Sequence, residues 1–336
     1  MKKAIITGAG GFIGRVLQVK LREAGYYVIG LDLNNNYTEF VEEWYQMSYS
    51  DIGKLSETLS DTTVIFHLGA DSLLGPSVDN PLKYYQNNVG EMAKMLQGLV
   101  DQWWGGSIIF ASSAATYGDV SVLQLPLFEG MAGVTNNPYG STKLVGEMML
   151  RESCEAYRLK AYSMRFFNVA GSYKGEGQAP DQPHILTRMS MGLEKEETFY
   201  INGDDYETSD GTCVRDYIHV SDVCDALIAA AEKLNNEPSG TYDVFNVCSG
   251  KGVSNKELAE QFSDIYPFQY AYKPSRPGDP AHLVGAPNKM NRELGVFAQK
   301  SLRDIILSHH GYVKKENKTV ANAGQPWLRT FDGNLK

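Results

Sequence analysis

The chain has 336 residues, 43% of them hydrophobic, enough to fill one large or two smaller cores. Its formal charge of -9 at pH 7 and pI near 5.3 argue against nucleic acid or an anionic membrane as partner, because long-range repulsion opposes both. The widely spaced Cys154, Cys213, Cys224 and Cys248 form no C-x-x-C pair or zinc grouping and read as reduced thiols. Glycines interrupt the apolar start and no run nears the ~18 apolar residues of a membrane span, so a cytoplasmic location is expected.

In chain order, short apolar runs alternate with helical patterns. Ala4-Ile5-Ile6, Tyr27-Val28-Ile29, Val64-Ile65-Phe66, Ser107 to Phe110 and Ala161 to Met164 read as buried strands. Helices are expected near 12–24, 80–101 and 138–157. Such alternation implies right-handed crossovers and a parallel sheet covered on both faces, the doubly wound Rossmann α/β fold. After Asn168, Gly171, Gly175, Gly177, Pro180 and Pro183 loosen the pattern into a smaller α/β substrate-binding domain. A helix from Ser221-Asp222 and a strand at Val244 to Val247 return to the first domain. The expected division is 1–170 with 216–247, then 171–215 with 248–312, and a loosely held extension over 313–336.

Thr7-Gly8-Ala9-Gly10-Gly11-Phe12-Ile13-Gly14 follows the first strand and opens the first helix. Glycines there allow a tight turn, close approach of main chain to a pyrophosphate, and close helix–strand packing. Asp32 ends the next strand at about the ~20-residue spacing of a ribose-binding carboxylate. That carboxylate accepts ribose hydrogen bonds and repels a 2′-phosphate, which favours NAD over NADP; Arg15 is a mild counter-signal. Asp51-Ile52 is placed to contact an adenine.

Tyr139-Gly140-Ser141-Thr142-Lys143 puts tyrosine and lysine four residues apart on one helix face, with Asn137-Pro138 as cap and first helical residue. Base work by a tyrosine at neutral pH needs a downward shift of roughly 3 units. The lysine charge, the helix N-terminus and a nicotinamide cation are the expected sources. Ala111-Ser112-Ser113 ends the preceding strand, where a hydroxyl can bridge base and substrate.

The glycine motif, the paired serines before Tyr117-Gly118-Asp119, and Tyr139-x-x-x-Lys143 resemble the extended short-chain dehydrogenase/reductases. Ser77 to Val89, Arg165 to Gly171 and Asp210 to Val220 are similar to the UDP-glucose 4-epimerases of that family, and the resemblance spans roughly residues 3 to 312. It implies NAD-dependent 4-epimerisation of a UDP-hexose in a homodimer. By it, Tyr139 is the base, Lys143 its partner on the nicotinamide ribose and Ser113 the relay. Gly8, Gly11, Phe12, Ile13, Gly14, Asp32, Asp51, Ile52, Asn87 and Phe167 line the cofactor. Asn168, Arg215, Arg276 and Asp279 hold the nucleotide sugar, the arginines on its diphosphate and the aspartate on the uridine ribose, and Leu283 flanks the hexose. Directed guanidinium bonds let an acidic protein hold a diphosphate.

Thr116 and His184-Ile185-Leu186-Thr187 depart from the family pattern, the first where valine is usual and the second where proline usually follows two apolar residues. His67 and His219 read as packed, hydrogen-bonded side chains rather than metal ligands, and no metal is expected. Trp103-Trp104 and Tyr266 to Tyr272 read as packing or interface. A 4,6-dehydratase is expected to carry an Asp-Glu pair where this chain has Ser113-Ala114-Ala115-Thr116. A decarboxylase shares the fold and the tyrosine–lysine pair, and a non-catalytic dinucleotide sensor would need neither Tyr139 nor Lys143.

Overall fold

The computed structural model describes residues 1–131, 134–275 and 279–322. Seven strands form the central sheet: β1 (Lys3–Thr7), β2 (Tyr27–Asp32), β3 (Glu43–Gln46), β4 (Thr62–His67), β5 (Ser107–Ser113), β6 (Lys160–Phe166) and β7 (Tyr242–Val247). Their order is β7-β6-β5-β4-β1-β2-β3, and every pairing is parallel. The doubly wound Rossmann architecture is thus present, with the strand from the 240s at one edge.

Side chains alternate between the two faces, as a two-residue period requires. Ile5, Ile29, Ile65 and Ile108 join a core with Met92, Met95, Leu99 and Leu150. Ala4, Ile6, Val28, Val64, Phe66 and Ile109 join another with Val16, Leu17, Leu21, Val223 and Leu227. Helices Met92–Asp101 and Pro138–Tyr157 therefore cover one face, and Phe12–Glu23 and Val220–Asn235 the other. Near-continuous apolar strands are the consequence of burial on both sides.

The sheet order reverses between β1 and β4, and a ligand crevice is expected outside their carboxyl ends. Gly8 follows β1 there, with φ of 68°, and a Cβ on it would lie 2.7 Å from the Gly69 nitrogen beyond β4. Only glycine closes this point without displacing main chain.

The smaller region is built from short, distant pairings. Strand Val214–His219 pairs at its start with His282–Leu283 and with Gly252–Ser254, and at its end with Asn168–Ala170. Strand Phe199–Asn202 pairs with Tyr270–Lys273. Leu186, Met189, Phe199, Tyr217, Leu258, Phe262, Ile305 and Ile306 fill the core beneath. Helix Leu302–Asn322 runs on where the sequence predicted a loose extension from 313. Tyr312 and Val313 are buried in it, and Gly177 is tight against the Tyr312 ring, 2.7 Å from a Cβ position.

Five of the six histidines carry a pH dependence. Burial pushes His67 down to about 3 and His184 and His219 to about 4, holds His309 well below its usual range and lowers His310. They stay neutral when folded and protonate near ~6.5 when unfolded, so their stabilisation is complete above about 6.5 and is lost as pH falls toward the folded values. Asp216, pushed up to about 6 by burial, works in the opposite sense below pH 6. Asp222 is raised by burial in the same way, and five histidines outweigh two carboxyls, at up to ~1.4 kcal/mol per group per pH unit. Thermal melts should show a falling midpoint from pH 6.5 to 5; a flat midpoint over that range contradicts this account.

Candidate active site

The nucleotide end is held by its own main chain. Asp32 accepts from the Gly10 amide at 3.0 Å and from the Asn34 amide at 3.0 Å, which aims its carboxylate over the glycine turn. A Cβ on Gly14 would collide with the Gly8 carbonyl oxygen, so the first helix needs glycine to approach this closely. Arg15 is not available to a 2′-phosphate. Its Nε donates to Glu176 at 2.8 Å, and its Nη1 and Nη2 donate to the Gly10 and Gly177 carbonyls at 2.7 and 2.6 Å.

Phe12 and Ile13 are half-buried against the core of Ala4, Ile6, Val16 and Leu17, beside Gly11. Asp51 and Ile52 lie in the turn Tyr49–Lys54, Asp51 paired with Lys54 at 2.8 Å. Ile52 is fully buried in the core. Asn87 accepts from the Tyr49 hydroxyl and donates to Asp71 at 3.2 Å. Its neighbour Asn88, which sequence reasoning did not single out, ties the Asp71 main chain to Thr142 on the tyrosine helix.

Helix Pro138–Tyr157 is started by Asn137, whose Oδ1 accepts from the Gly140 amide at 2.8 Å, with Pro138 at the first position. Ser77, fully buried, adds a second cap by accepting from the Tyr139 amide at 3.2 Å. The signal for it lay in the segment Ser77 to Val89, though not in spacing. Gly140 packs where a Cβ would strike the Ala115 carbonyl oxygen, and Gly146 where it would lie 2.8 Å from the Phe110 ring. The helix is thereby pressed onto β5.

This docking joins Ser113, Tyr139 and Lys143. The Ser113 hydroxyl hydrogen-bonds the Tyr139 phenol. Lys143 is buried, donates to the Ala111 carbonyl at 2.7 Å and lies 4.8 Å over the Phe110 ring and 6.0 Å from the Tyr139 ring centre. Burial pulls its ammonium down to about 7, against the attraction of Glu147. The Tyr139 phenol is raised, not lowered as the sequence reading required: burial dominates, and the Ser113 bond offsets only part of it. The triad can move a proton between phenol, serine hydroxyl and a bound alcohol.

The residues expected to hold the sugar gather around strand Val214–His219. Arg215 sits opposite Leu283, and Asn168 opposite Tyr217. Asp216, fully buried between them, accepts from the Ser249 amide and hydroxyl at 2.8 and 2.6 Å and the Gly250 amide at 2.9 Å, fixing the loop beside the site. Leu283 packs against the cluster of Ala114, Tyr117, Leu127, Phe167 and Cys248. Asp279 stands near the Cys213 thiol, with Arg215 on the same thiol. Arg276 lies outside the described residues. His67 bonds Thr7 at 2.7 Å, and His219 bonds Ser221 and Ser308 at 2.9 and 3.1 Å, as packed histidines do. Thr187, the departure from proline, bonds His309 at 2.9 Å, and Trp104 donates to the Thr62 carbonyl at 3.1 Å.

The pattern of the NAD dependent epimerase/dehydratase family matches residues 4–248. A UDP-glucose 4-epimerase of Halalkalibacterium halodurans is 35% identical over 94% of this chain and 98% of its own length. The crystal structure of a UDP-glucose 4-epimerase from Brucella ovis in complex with NAD is 32% identical, with a TM-score of 0.85 over 93% of this chain and 98% of that one. One from Stenotrophomonas maltophila, with bound NAD and formylated UDP-arabinopyranose, reaches 0.88 at 26% identity over 95% and 100%. With the glycine turn, Asp32 and the serine–tyrosine–lysine triad in place, the chain belongs to the NAD dependent epimerase/dehydratase family.

Proposed function

We propose that this chain interconverts UDP-galactose and UDP-glucose, inverting C4′ through a transient 4-keto sugar with NAD as resident cofactor. The observation that carries the reading is the meeting of Ser113, Tyr139 and Lys143 beside a sheet that aligns Asn168, Arg215 and Leu283. The cofactor end fits a dinucleotide without a 2′-phosphate: glycines close the turn at Gly8 and Gly14, where a Cβ would strike main chain, Asp32 stands over the turn, and Arg15 is engaged. Those glycines, with Gly11, Phe12, Ile13, Asp32, Asp51, Ile52, Asn87 and Phe167, would hold NAD. When bound, NAD supplies the hydride acceptor and donor for C4′.

Tyr139 takes the 4′-hydroxyl proton and returns it, and Ser113 bridges phenol and sugar oxygen. Lys143 keeps positive charge beside the phenol. Asn168, Arg215, Arg276 and Asp279 hold the nucleotide sugar across 171–215 and 248–312, while 1–170 and 216–247 carry the cofactor. Dehydration lacks its acid–base pair, since Ala114-Ala115-Thr116 follows Ser113. Incubating the purified chain with UDP-galactose and resolving UDP-glucose tests the reading; no conversion by NAD-loaded protein overturns it.

In this reading the chain works in galactose metabolism as a cytoplasmic homodimer. Leu82, Tyr85 and Met148 are exposed apolar side chains on helical segments Pro81–Tyr85 and Pro138–Tyr157, a surface suited to a second copy. Among the described residues no helix is long and apolar enough to cross a membrane.

Leu283 sets the room beside the hexose. Leucine is smaller than tyrosine and lacks its hydroxyl, so UDP-N-acetylgalactosamine should turn over measurably, though more slowly than UDP-galactose. Apolar pocket differences of this size are worth ~1–3 kcal/mol. Leu283→Tyr should suppress the N-acetyl substrate by about tenfold or more while sparing UDP-galactose in paired assays. Equal loss of both would show that Leu283 is not the gate.

A further inference from the structure

Tyr139, Lys143 and Glu147 follow one another at four-residue steps along one face of helix Pro138–Tyr157. Glu147 is 4% exposed. Its Oε1 accepts from the Ser112 hydroxyl at 2.5 Å and from Arg165 Nε at 2.9 Å, and its Oε2 accepts from Arg165 Nη2 at 2.7 Å. One carboxylate thus ties the helix to β5 and β6 together. Ser112 adjoins Ser113 with its side chain on the opposite face of the sheet, so the clamp fixes the strand that carries the relay hydroxyl.

Arg165, 6% exposed, is spent on the same network. Its Nη1 donates to the Glu129 carbonyl at 3.2 Å and its guanidinium lies 4.7 Å over the Tyr117 ring. The Tyr117 hydroxyl in turn donates to Asn246 at 2.6 Å. Apolar residues of similar volume often stabilise such a place as well as an ion pair does, so stability alone does not account for the charges. The pair is oriented. Glu147 shares a helix with Lys143, whereas Arg165 reaches it from β6, and Glu147 is the charge that acts on the Lys143 ammonium.

Among the described residues, the other groups around Lys143 supply no counterion. Tyr139 on its own helix and Phe110 on β5 face it with rings, and Ala111 with a carbonyl. His67 on β4 is kept neutral by burial and by Lys143 itself, and Tyr84 lies nearer Tyr139.

We infer that Glu147 is a positioning residue of the redox site, which keeps Lys143 charged and locks the Tyr139–Lys143 face against Ser113, with Arg165 as its own counterion. The inference rests on the proposed roles of Tyr139 and Lys143. Glu147→Gln preserves shape and removes the charge, leaving Arg165 uncompensated, whereas Glu147→Asp preserves the charge.

The test is a titration of the Lys143 side chain by nitrogen-15 NMR in the NAD-loaded protein, assigned with Lys143→Arg. The midpoint should fall by about one pH unit or more in Glu147→Gln and move far less in Glu147→Asp. The alkaline limb of the kcat profile for UDP-galactose should move with it while KM holds. If Glu147→Gln does not fold, Glu147→Gln combined with Arg165→Gln removes both charges and should return the midpoint toward wild type relative to Arg165→Gln alone. A midpoint unmoved in folded Glu147→Gln overturns the inference. A shifted midpoint in a protein that converts no UDP-galactose upholds the charge coupling and overturns the epimerase reading.

Discussion

Tyr139→Phe should lower kcat for UDP-galactose by ~10²–10⁴-fold, the range that a positioned general base contributes. The substitution removes one oxygen and keeps the ring. Lys143 would still donate to the Ala111 carbonyl, and the helix would still be capped by Asn137 and Ser77. The lost Ser113 bond costs about 1 kcal/mol of stability at most, so the thermal midpoint should move little. KM should change less than kcat, because the substitution leaves Asn168, Arg215 and Asp279, the residues proposed to hold the nucleotide sugar, untouched. Steady-state kinetics with bound-nucleotide analysis checks both points. Turnover within tenfold of wild type would place the base elsewhere, and Ser113 would become the first residue to examine.

The first domain was legible because its signals are local. Short continuous apolar runs marked β1, β2, β4, β5 and β6, and the glycines with Asp32 marked the turn at the point of reversal. Strand Glu43–Gln46 was not seen. Its sequence Glu-Trp-Tyr-Gln is short and polar, it has one neighbour at the sheet edge, and none of its residues is fully buried. The smaller region was illegible for a different reason. A two-residue strand such as His282–Leu283 exists only through its pairing with Val214–Arg215, and no window of sequence contains both partners.

Chemistry divided the same way. The four-residue step from Tyr139 to Lys143 was visible in sequence, and the direction of the Tyr139 shift was not, because burial is a property of the whole packed site. Glu147 lies on the same step, one turn further on. Sequence reasoning did not single it out, because Ser112 and Arg165 converge on it only in the folded chain. The polar tail beyond Lys314 continues a helix whose anchor, Tyr312 and Val313, precedes it.

Arg215→Leu should weaken binding of UDP by about 10- to 100-fold, since charge-assisted hydrogen bonds contribute roughly 1.5–3 kcal/mol. An acidic protein offers a diphosphate no general attraction, so the loss of one directed guanidinium is not made up by the remaining field. The change should leave the fold intact. Within the chain Arg215 donates to the carbonyl of its own neighbour Val214 at 2.9 Å and to the Cys213 thiol, whereas the buried anchoring of its strand belongs to Asp216. Arg215→Lys keeps the charge without the fork and should fall between wild type and Arg215→Leu. Calorimetric titration with UDP measures the effect free of turnover, and steady-state assays should show it as a raised KM with kcat less affected. Unchanged UDP affinity in Arg215→Leu would remove this residue from the diphosphate site and transfer the whole of that role to other donors.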